Sequence, residues 1–268
     1  MSKKRADVLL YEKGLVQSRE KGKRVIMEGS VFVGSERVNK PGDKFNDDIE
    51  IYIKKNPLIY VSRGGLKLEK AVKNFNINLQ DTIAMDIGSS TGGFTDCMLQ
   101  KGAKKVYAID VGYGQLDWSL RNDKRVVVME RTNIRSVEKT DIKDEIDFIS
   151  IDVSFISLKL VLPIAQSLLK STGKIIALVK PQFETSREKV GKKGIIKNSK
   201  THREVLESII EFSHDSKFGV KGLSFSPVTG AKGNIEFLLY LTNNQSESID
   251  KVEIYKIVEE AHSVLKDR

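Results

Sequence analysis

This sequence predicts a doubly wound α/β domain, seven-stranded and Rossmann-like, preceded by a small α+β module. Three observations carry that expectation. Seven short apolar runs recur between residues 82 and 242 with helical stretches between them, the pattern of a mostly parallel sheet covered on both faces. Residues 1–55 instead hold two short helical segments followed by alternating segments cut by turn residues. Between the regions stands Asn56-Pro57, where a residue preceding proline is pushed out of the helical conformation. A chain of 268 residues has room for one substantial core and a small appended module. We therefore expect a first domain over 1–55, a linker over 56–61 and a second domain over 62–268.

In order along the chain, "ADVLLYEKG" (6–14) places apolar residues at helical spacing and stops at Gly14. Ser18 then stands as an N-cap before "REKGKRVIMEG", with Glu20 in the first turn. After Gly29 the sequence alternates around Gly34-Ser35, Asn39 and Pro41-Gly42, which predicts small strands. The seven apolar runs are "TIAMDIG" (82–88), "KVYAID" (105–110), "RVVVMER" (125–131), "IDFISIDV" (146–153), "KIIALVKP" (174–181), "GVKGLSFS" (219–226) and "IEFLLYLT" (235–242). In such sheets ligands bind at the carboxyl ends of the strands. Asp86, Asp110, Asn133, Asp152 and Lys180 lie at or just beyond the ends of five of these runs.

Composition excludes several classes. No apolar run approaches the roughly 18 residues of a membrane span, and the basic start leads into a segment too polar for a signal peptide, so a cytoplasmic protein without stable membrane association is expected. Cys97 is the single cysteine, and His202, His214 and His262 have no metal-ligand spacing, so we expect no metal. The net charge is +9, and residues 1–25 hold eight Lys or Arg against three acids. A basic excess of this kind meets an anionic surface such as nucleic acid, or is simply a solvated helical face.

Gly88-Ser89-Ser90-Thr91-Gly92-Gly93-Phe94-Thr95 fits the phosphate-loop spacing except that Phe94 replaces the lysine. The dinucleotide pattern fails too, because Ser90 stands where its second glycine belongs. Asp86 adds a carboxylate that repels pyrophosphate. A cationic nucleoside such as S-adenosylmethionine, with a sulfonium and an ammonium but no phosphate, suits strand, acid, glycine turn and helix. Asp110 is then placed for the ribose hydroxyls and Asn133 for the adenine edge. The alternative is that the glycines only let a helix pack on its strand and the acids cap helices. Tyr113, Gln115 and Trp118 either border this site or pack a loop, and Cys97 is expected in the core.

Methyl transfer to a hydroxyl aligns oxygen, carbon and sulfur and removes a proton from a weak acid. A lysine is one means of removing it. Lys180 ends a very apolar run, Asp152 ends the preceding one, Glu236 opens the last, and Lys67 lies on the helix leading into the first. Singly, each is as easily a solvated terminus or a helix cap.

Together, "YVSRGGLKLEKA", "DIGSSTGGFTDCMLQKGAKKVYAIDVGYGQLDW", "IDVSFISL", "ALVKPQFE", "VGKKGI" and "GNIEFLLYL" resemble the TlyA-type proteins, named hemolysins and also ribosomal RNA (cytidine-2′-O)-methyltransferases. The resemblance spans nearly the whole chain. It implies an S4-like RNA-binding domain over the first 55 residues and an FtsJ-like S-adenosylmethionine-dependent methyltransferase domain after it. It further implies a catalytic tetrad of Lys67, Asp152, Lys180 and Glu236, with Lys180 as base, and ribosomal RNA or ribosomal subunits as partner. On this basis RNA contacts are expected at Lys4, Arg5, Arg19, Lys23, Arg24 and Arg63. Cofactor contacts are expected at Asp86, the loop Gly88 to Phe94, Asp110, Asn133 and Asp152. A membrane-lytic protein, or a non-catalytic S4-type assembly factor, is the alternative.

Overall fold

The computed structural model describes residues 3–27, 29–34, 36–53, 59–191, 193–230 and 232–265. The chain divides into two compact units, Met1–Leu58 and Ile59–Arg268. Asn56-Pro57 of the expected linker lies outside the described residues, as does Ser35 of the expected turn. Tyr60, at the end of that linker, is buried in the core of the second unit.

The first unit runs β1 (Lys3–Arg5), α1 (Ala6–Glu12), α2 (Arg19–Met27), β2 (Val31–Val33), β3 (Glu36–Arg37), β4 (Lys44–Asn46) and β5 (Ile51–Ile53). β2 is the centre of a three-stranded sheet, and β1 pairs antiparallel with β4. Ala6, Leu9, Leu10, Ile26, Val31, Val38 and Ile51 form its core. Ser18 caps α2 as its sequence position requires, its Oγ accepting from Lys21 N–H at 3.2 Å.

The second unit runs α3 (Gly64–Asn74), β6 (Ile83–Ile87), α4 (Gly93–Gln100), β7 (Lys105–Ile109), α5 (Trp118–Arg121), β8 (Val126–Met129) and β9 (Ile146–Ile151). It continues with α6 (Leu162–Leu168), β10 (Leu169–Val179), α7 (Pro181–Glu184), α8 (Ser199–Asp215), β11 (Gly219–Phe225), β12 (Phe237–Thr242) and α9 (Lys251–Leu265). Each of the seven apolar runs became a strand, and the sheet order is β11-β12-β10-β9-β6-β7-β8. From β10 through β8 every pairing is parallel, whereas β12 runs antiparallel to both β10 and β11.

Alternation assigns the two faces. Met85, Ile87, Ile149, Ile151 and Ala177 meet α6, α8 and α9 on one side. Ala84, Ala108, Phe148, Ile176 and Leu178 meet α3, α4 and α5 on the other. Burial on both faces is why these strands read as unbroken apolar runs. The strand order reverses between β6 and β9, which opens a crevice at their carboxyl ends. Cys97 is fully buried, as expected of a core residue. His202 and His262 meet at 2.8 Å between α8 and α9, and burial pushes His202 down to about 4.

Candidate active site

A cavity of about 440 Å³ opens at that crevice. Of the residues expected to hold a ligand, Gly88, Ser90, Asp110, Asn133 and Asp152 line it. Gly88 has φ +85°, and a Cβ there would lie 2.6 Å from the Asp152 carbonyl oxygen. Only glycine lets the β6 end lie this close to the β9 end. The turn is pinned by Gly88 and Ser89 N–H groups donating to the Ile109 carbonyl at 2.9 and 3.0 Å.

Asp110 takes the Ser90 N–H on one carboxylate oxygen at 2.8 Å and the Gly112 N–H on the other at 2.7 Å. Each oxygen keeps a further lone pair for a donor in the cavity. Asn133 caps a short turn by accepting from Arg135 N–H at 3.1 Å. Gln115 borders the cavity, whereas Tyr113 and Trp118 are 69% and 77% exposed. The Arg131 guanidinium lies 4.1 Å from the Tyr113 ring centre.

Other expected contacts lie elsewhere. Phe94 is in the core with Leu68 and Met98, and Ser89 is buried beneath the turn. Thr91, Gly92 and Gly93 do not line the cavity. Gly93 serves helix packing, since a Cβ would lie 2.8 Å from the Gly65 nitrogen on α3. Asp86 shares the strand face of Ala84, not that of Ile87, so its carboxylate points beneath α4. It accepts from Thr95 N–H at 2.9 Å and from the Thr95 hydroxyl at 2.7 Å, and bonds Ser150 Oγ at 3.0 Å. It braces the loop from behind.

Burial pushes Asp86 up to about 7 from an ordinary 3.8. Between roughly pH 4 and 7 the unfolded chain gives up a proton the folded chain keeps, so this group lowers stability as pH rises through that window and no further above it. Asp86→Asn removes the loss. In thermal unfolding across pH 4 to 8 the variant gains on the wild type up to about pH 7; a pH-independent difference would contradict this.

The four expected catalytic residues form two ion pairs. Lys67 Nζ, in the second turn of α3, lies 2.6 Å from Glu236 Oε2. Lys180 Nζ lies 2.5 Å from Asp152 Oδ1 and donates to Ser154 Oγ at 2.9 Å. The reversed strand explains how Glu236 arrives here. β12 pairs Phe237 with Val179, so the next position outward sets Glu236 beside Lys180 at the edge where the parallel strands end. Glu236 is 3% and Lys180 9% exposed.

Sequence reasoning missed Ser154 and Phe155, which line the cavity just after Asp152. A signal was available in the polar "DVS" at a strand end. In the first unit, Arg5 is engaged by the buried Asp7 at 2.9 Å, with Arg19 at 3.7 Å, and the Arg5 guanidinium holds the Asp7 carboxyl below its usual range. Lys4 pairs with Glu12 and Asp47, and Lys23 with the exposed Glu20. Arg63 is exposed ahead of α3. Among the described residues no group of three or more His, Cys, Asp or Glu is placed to hold a metal ion.

Residues 60–243 match the FtsJ-like methyltransferase family. The chain belongs to that family. Residues 4–48 match the S4 domain, so this FtsJ-like methyltransferase carries an S4 domain ahead of its catalytic fold. YqxC of Bacillus subtilis, whose name assigns it provisionally to rRNA methylation, is 55% identical over 99% of this chain and 96% of its own. The 16S/23S rRNA (cytidine-2′-O)-methyltransferase TlyA of Mycobacterium tuberculosis is 36% identical over 91% of this chain and 92% of its own. A solved structure of a Streptococcus thermophilus protein carrying a hemolysin name is 49% identical. It matches with TM-score 0.80 over 100% of this chain and 98% of its own. No helix among the described residues is long and apolar enough to cross a membrane.

Proposed function

We propose that this FtsJ-like methyltransferase transfers the methyl group of S-adenosylmethionine to the ribose 2′-hydroxyl of cytidine in ribosomal RNA, in the cytoplasm. The observation that carries the reading is the convergence of the Lys180–Asp152 and Lys67–Glu236 pairs at the same sheet edge as the cavity. The names of TlyA and YqxC support it.

The cavity fits the methyl donor by its chemistry. Its lining includes the carboxylates of Asp110 and Asp152 and no Lys or Arg, which favours a sulfonium and ammonium over a pyrophosphate. Asp110 would hold the ribose hydroxyls, and the backbone at Gly88 and Ser90 would cradle the ligand, with Asn133 toward its base. When bound, S-adenosylmethionine supplies a methyl group on an electron-poor sulfur. Lys180 takes the proton of the acceptor hydroxyl as its oxygen attacks. Asp152 holds Lys180, and the Lys67–Glu236 pair walls the acceptor side with fixed charge. Much of the acceleration comes from alignment of oxygen with the methyl carbon.

The S4 domain would dock the RNA through phosphate contacts, which set affinity and its salt dependence. Of the expected contacts, Arg5 and Arg19 are committed to the buried Asp7, whereas the partner of Lys23 is the exposed Glu20, which a phosphate can replace; Arg24 is the expected contact next to it in α2. Replacing Lys23 and Arg24 together by Ala should flatten the slope of log affinity against log salt by about two; an unchanged slope would remove both from the interface. The reading as a whole is tested by incubating isolated ribosomal subunits with the protein and methyl-labelled S-adenosylmethionine. Label is expected in the RNA; label only in ribosomal protein, or none, would overturn it.

A further inference from the structure

Lys180 Nζ donates a hydrogen bond to Ser154 Oγ at 2.9 Å and lies 2.5 Å from Asp152 Oδ1 in an ion pair without hydrogen-bond geometry. Ser154 belongs to neither ion pair, yet it lines the cavity together with Asp152. We propose that Ser154 is a positioning residue for methyl transfer, whose hydroxyl fixes the direction in which Lys180 presents its lone pair to the acceptor oxygen. This rests on Lys180 acting as the base.

The reasoning follows from the valence of the amine. A lysine ammonium carries three N–H bonds and no lone pair. One points at Ser154 Oγ, which sets the rotation about Cε–Nζ, and the Asp152 carboxylate beside Nζ favours a second N–H on its side, so the proton that leaves is the third. The lone pair then appears along that third direction and stays there, because the Ser154 hydrogen bond still holds the torsion and the Asp152 carboxylate still draws the other N–H. With the Asp152 charge as sole partner, no hydrogen bond would fix rotation about Cε–Nζ, and the lone pair would exchange among its staggered positions. In the reaction the proton of the acceptor hydroxyl passes to Lys180 Nζ and the oxygen bonds the methyl carbon. The carbon–sulfur bond breaks with its electron pair remaining on sulfur. Proton removal therefore gains from a lone pair already aimed.

The turn bearing Ser154 is built to hold this contact. Phe155 sits at φ +64°, a conformation uncommon for a residue with a bulky side chain and typical of sites where surrounding structure dictates the backbone. Its ring meets Phe183 at 4.9 Å between centroids. Two residues further on, Ser157 Oγ donates to Glu184 Oε2 at 2.5 Å and Leu158 N–H donates to Glu184 Oε1 at 2.8 Å. Glu184 ends α7, the helix that starts immediately after Lys180. The segments carrying Ser154 and Lys180 are thus tied to each other after the Ser154–Lys180 bond, and before it Ile151 pairs with Ala177 in the sheet.

The test is steady-state methylation of ribosomal subunits by Ser154→Ala, Ser154→Thr, Lys180→Ala and the wild type, with S-adenosylmethionine affinity measured by calorimetry. Ser154 is exposed, so both of its variants should fold, which circular dichroism checks. Ser154→Ala should lower kcat by roughly 10- to 100-fold, with KM for the subunits and cofactor affinity within about twofold of wild type. Ser154→Thr, which keeps the hydroxyl, should recover most of the loss. A wild-type kcat in Ser154→Ala, a threonine variant as impaired as the alanine one, or a loss of cofactor affinity with kcat at saturation unchanged would each overturn the proposal. If Lys180→Ala is inactive while Ser154→Ala is fully active, this inference alone fails. If Lys180→Ala turns over normally, the reading of the base fails and this inference with it.

Discussion

Replacing Lys180 by Ala should reduce methyl transfer by about a thousandfold while leaving S-adenosylmethionine affinity within about twofold of wild type. Lys180 contacts Asp152 and Ser154 and is absent from the cavity lining, so its loss removes a proton acceptor and not a ligand contact. Asp152 loses its partner in this variant, but at 20% side-chain exposure it keeps access to water and the fold should survive. Lys180→Arg should fail almost as badly, because a guanidinium does not give up its proton at working pH. Rates are compared in single-turnover reactions at saturating cofactor, and affinity by calorimetry. Normal turnover in either variant would remove Lys180 from the mechanism.

The second large effect is expected at Glu236. Its carboxylate is 3% exposed, and the Lys67 side chain it pairs with is 12% exposed. Glu236→Ala leaves the Lys67 ammonium nearly buried without its counter-charge, which should cost about 3 kcal/mol of stability. The same change disturbs the position beside Lys180 at the edge of β12, so activity should fall by about a hundredfold as well. Lys67→Met combined with Glu236→Met separates the two consequences, because replacing both charges by apolar side chains removes the unpaired ion. The double variant should regain most of the stability and none of the activity. Denaturant unfolding beside single-turnover rates reads both quantities. A Glu236→Ala protein as stable as wild type would show that the pair is solvated, and an active double variant would show that it is not part of the chemistry.

Much of the fold was legible because burial on both faces leaves a strong mark. Seven runs such as "TIAMDIG" and "IEFLLYLT" had to be strands that meet helices above and below. Their direction was not legible, since alternation along a strand is the same read either way. The reversal of β12 is nevertheless what carries Glu236 to the edge occupied by Lys180. Asp86 illustrates a second limit. Its place before the glycine turn suggested a ligand contact, but one residue of strand parity separates it from Ile87 and sends it under α4 to Thr95 and Ser150. Charge counting found the basic first module but not that Arg5 and Arg19 are engaged within it, because the buried Asp7 that holds them reads in sequence as an ordinary helix-start acid. Ser154 escaped notice because its part depends on a turn and not on a run. Its partner Lys180 lies 26 residues away, a distance that only the packing of β9 beside β10 brings together.

The most direct measurement is mass spectrometry of nucleosides from ribosomal RNA after assembled subunits have been incubated with the protein and isotope-labelled S-adenosylmethionine, with Lys180→Ala in parallel. Labelled 2′-O-methylcytidine with the wild type, and none with the variant, is the predicted result. Label on a base, on a different nucleoside, or equally with both proteins would contradict it.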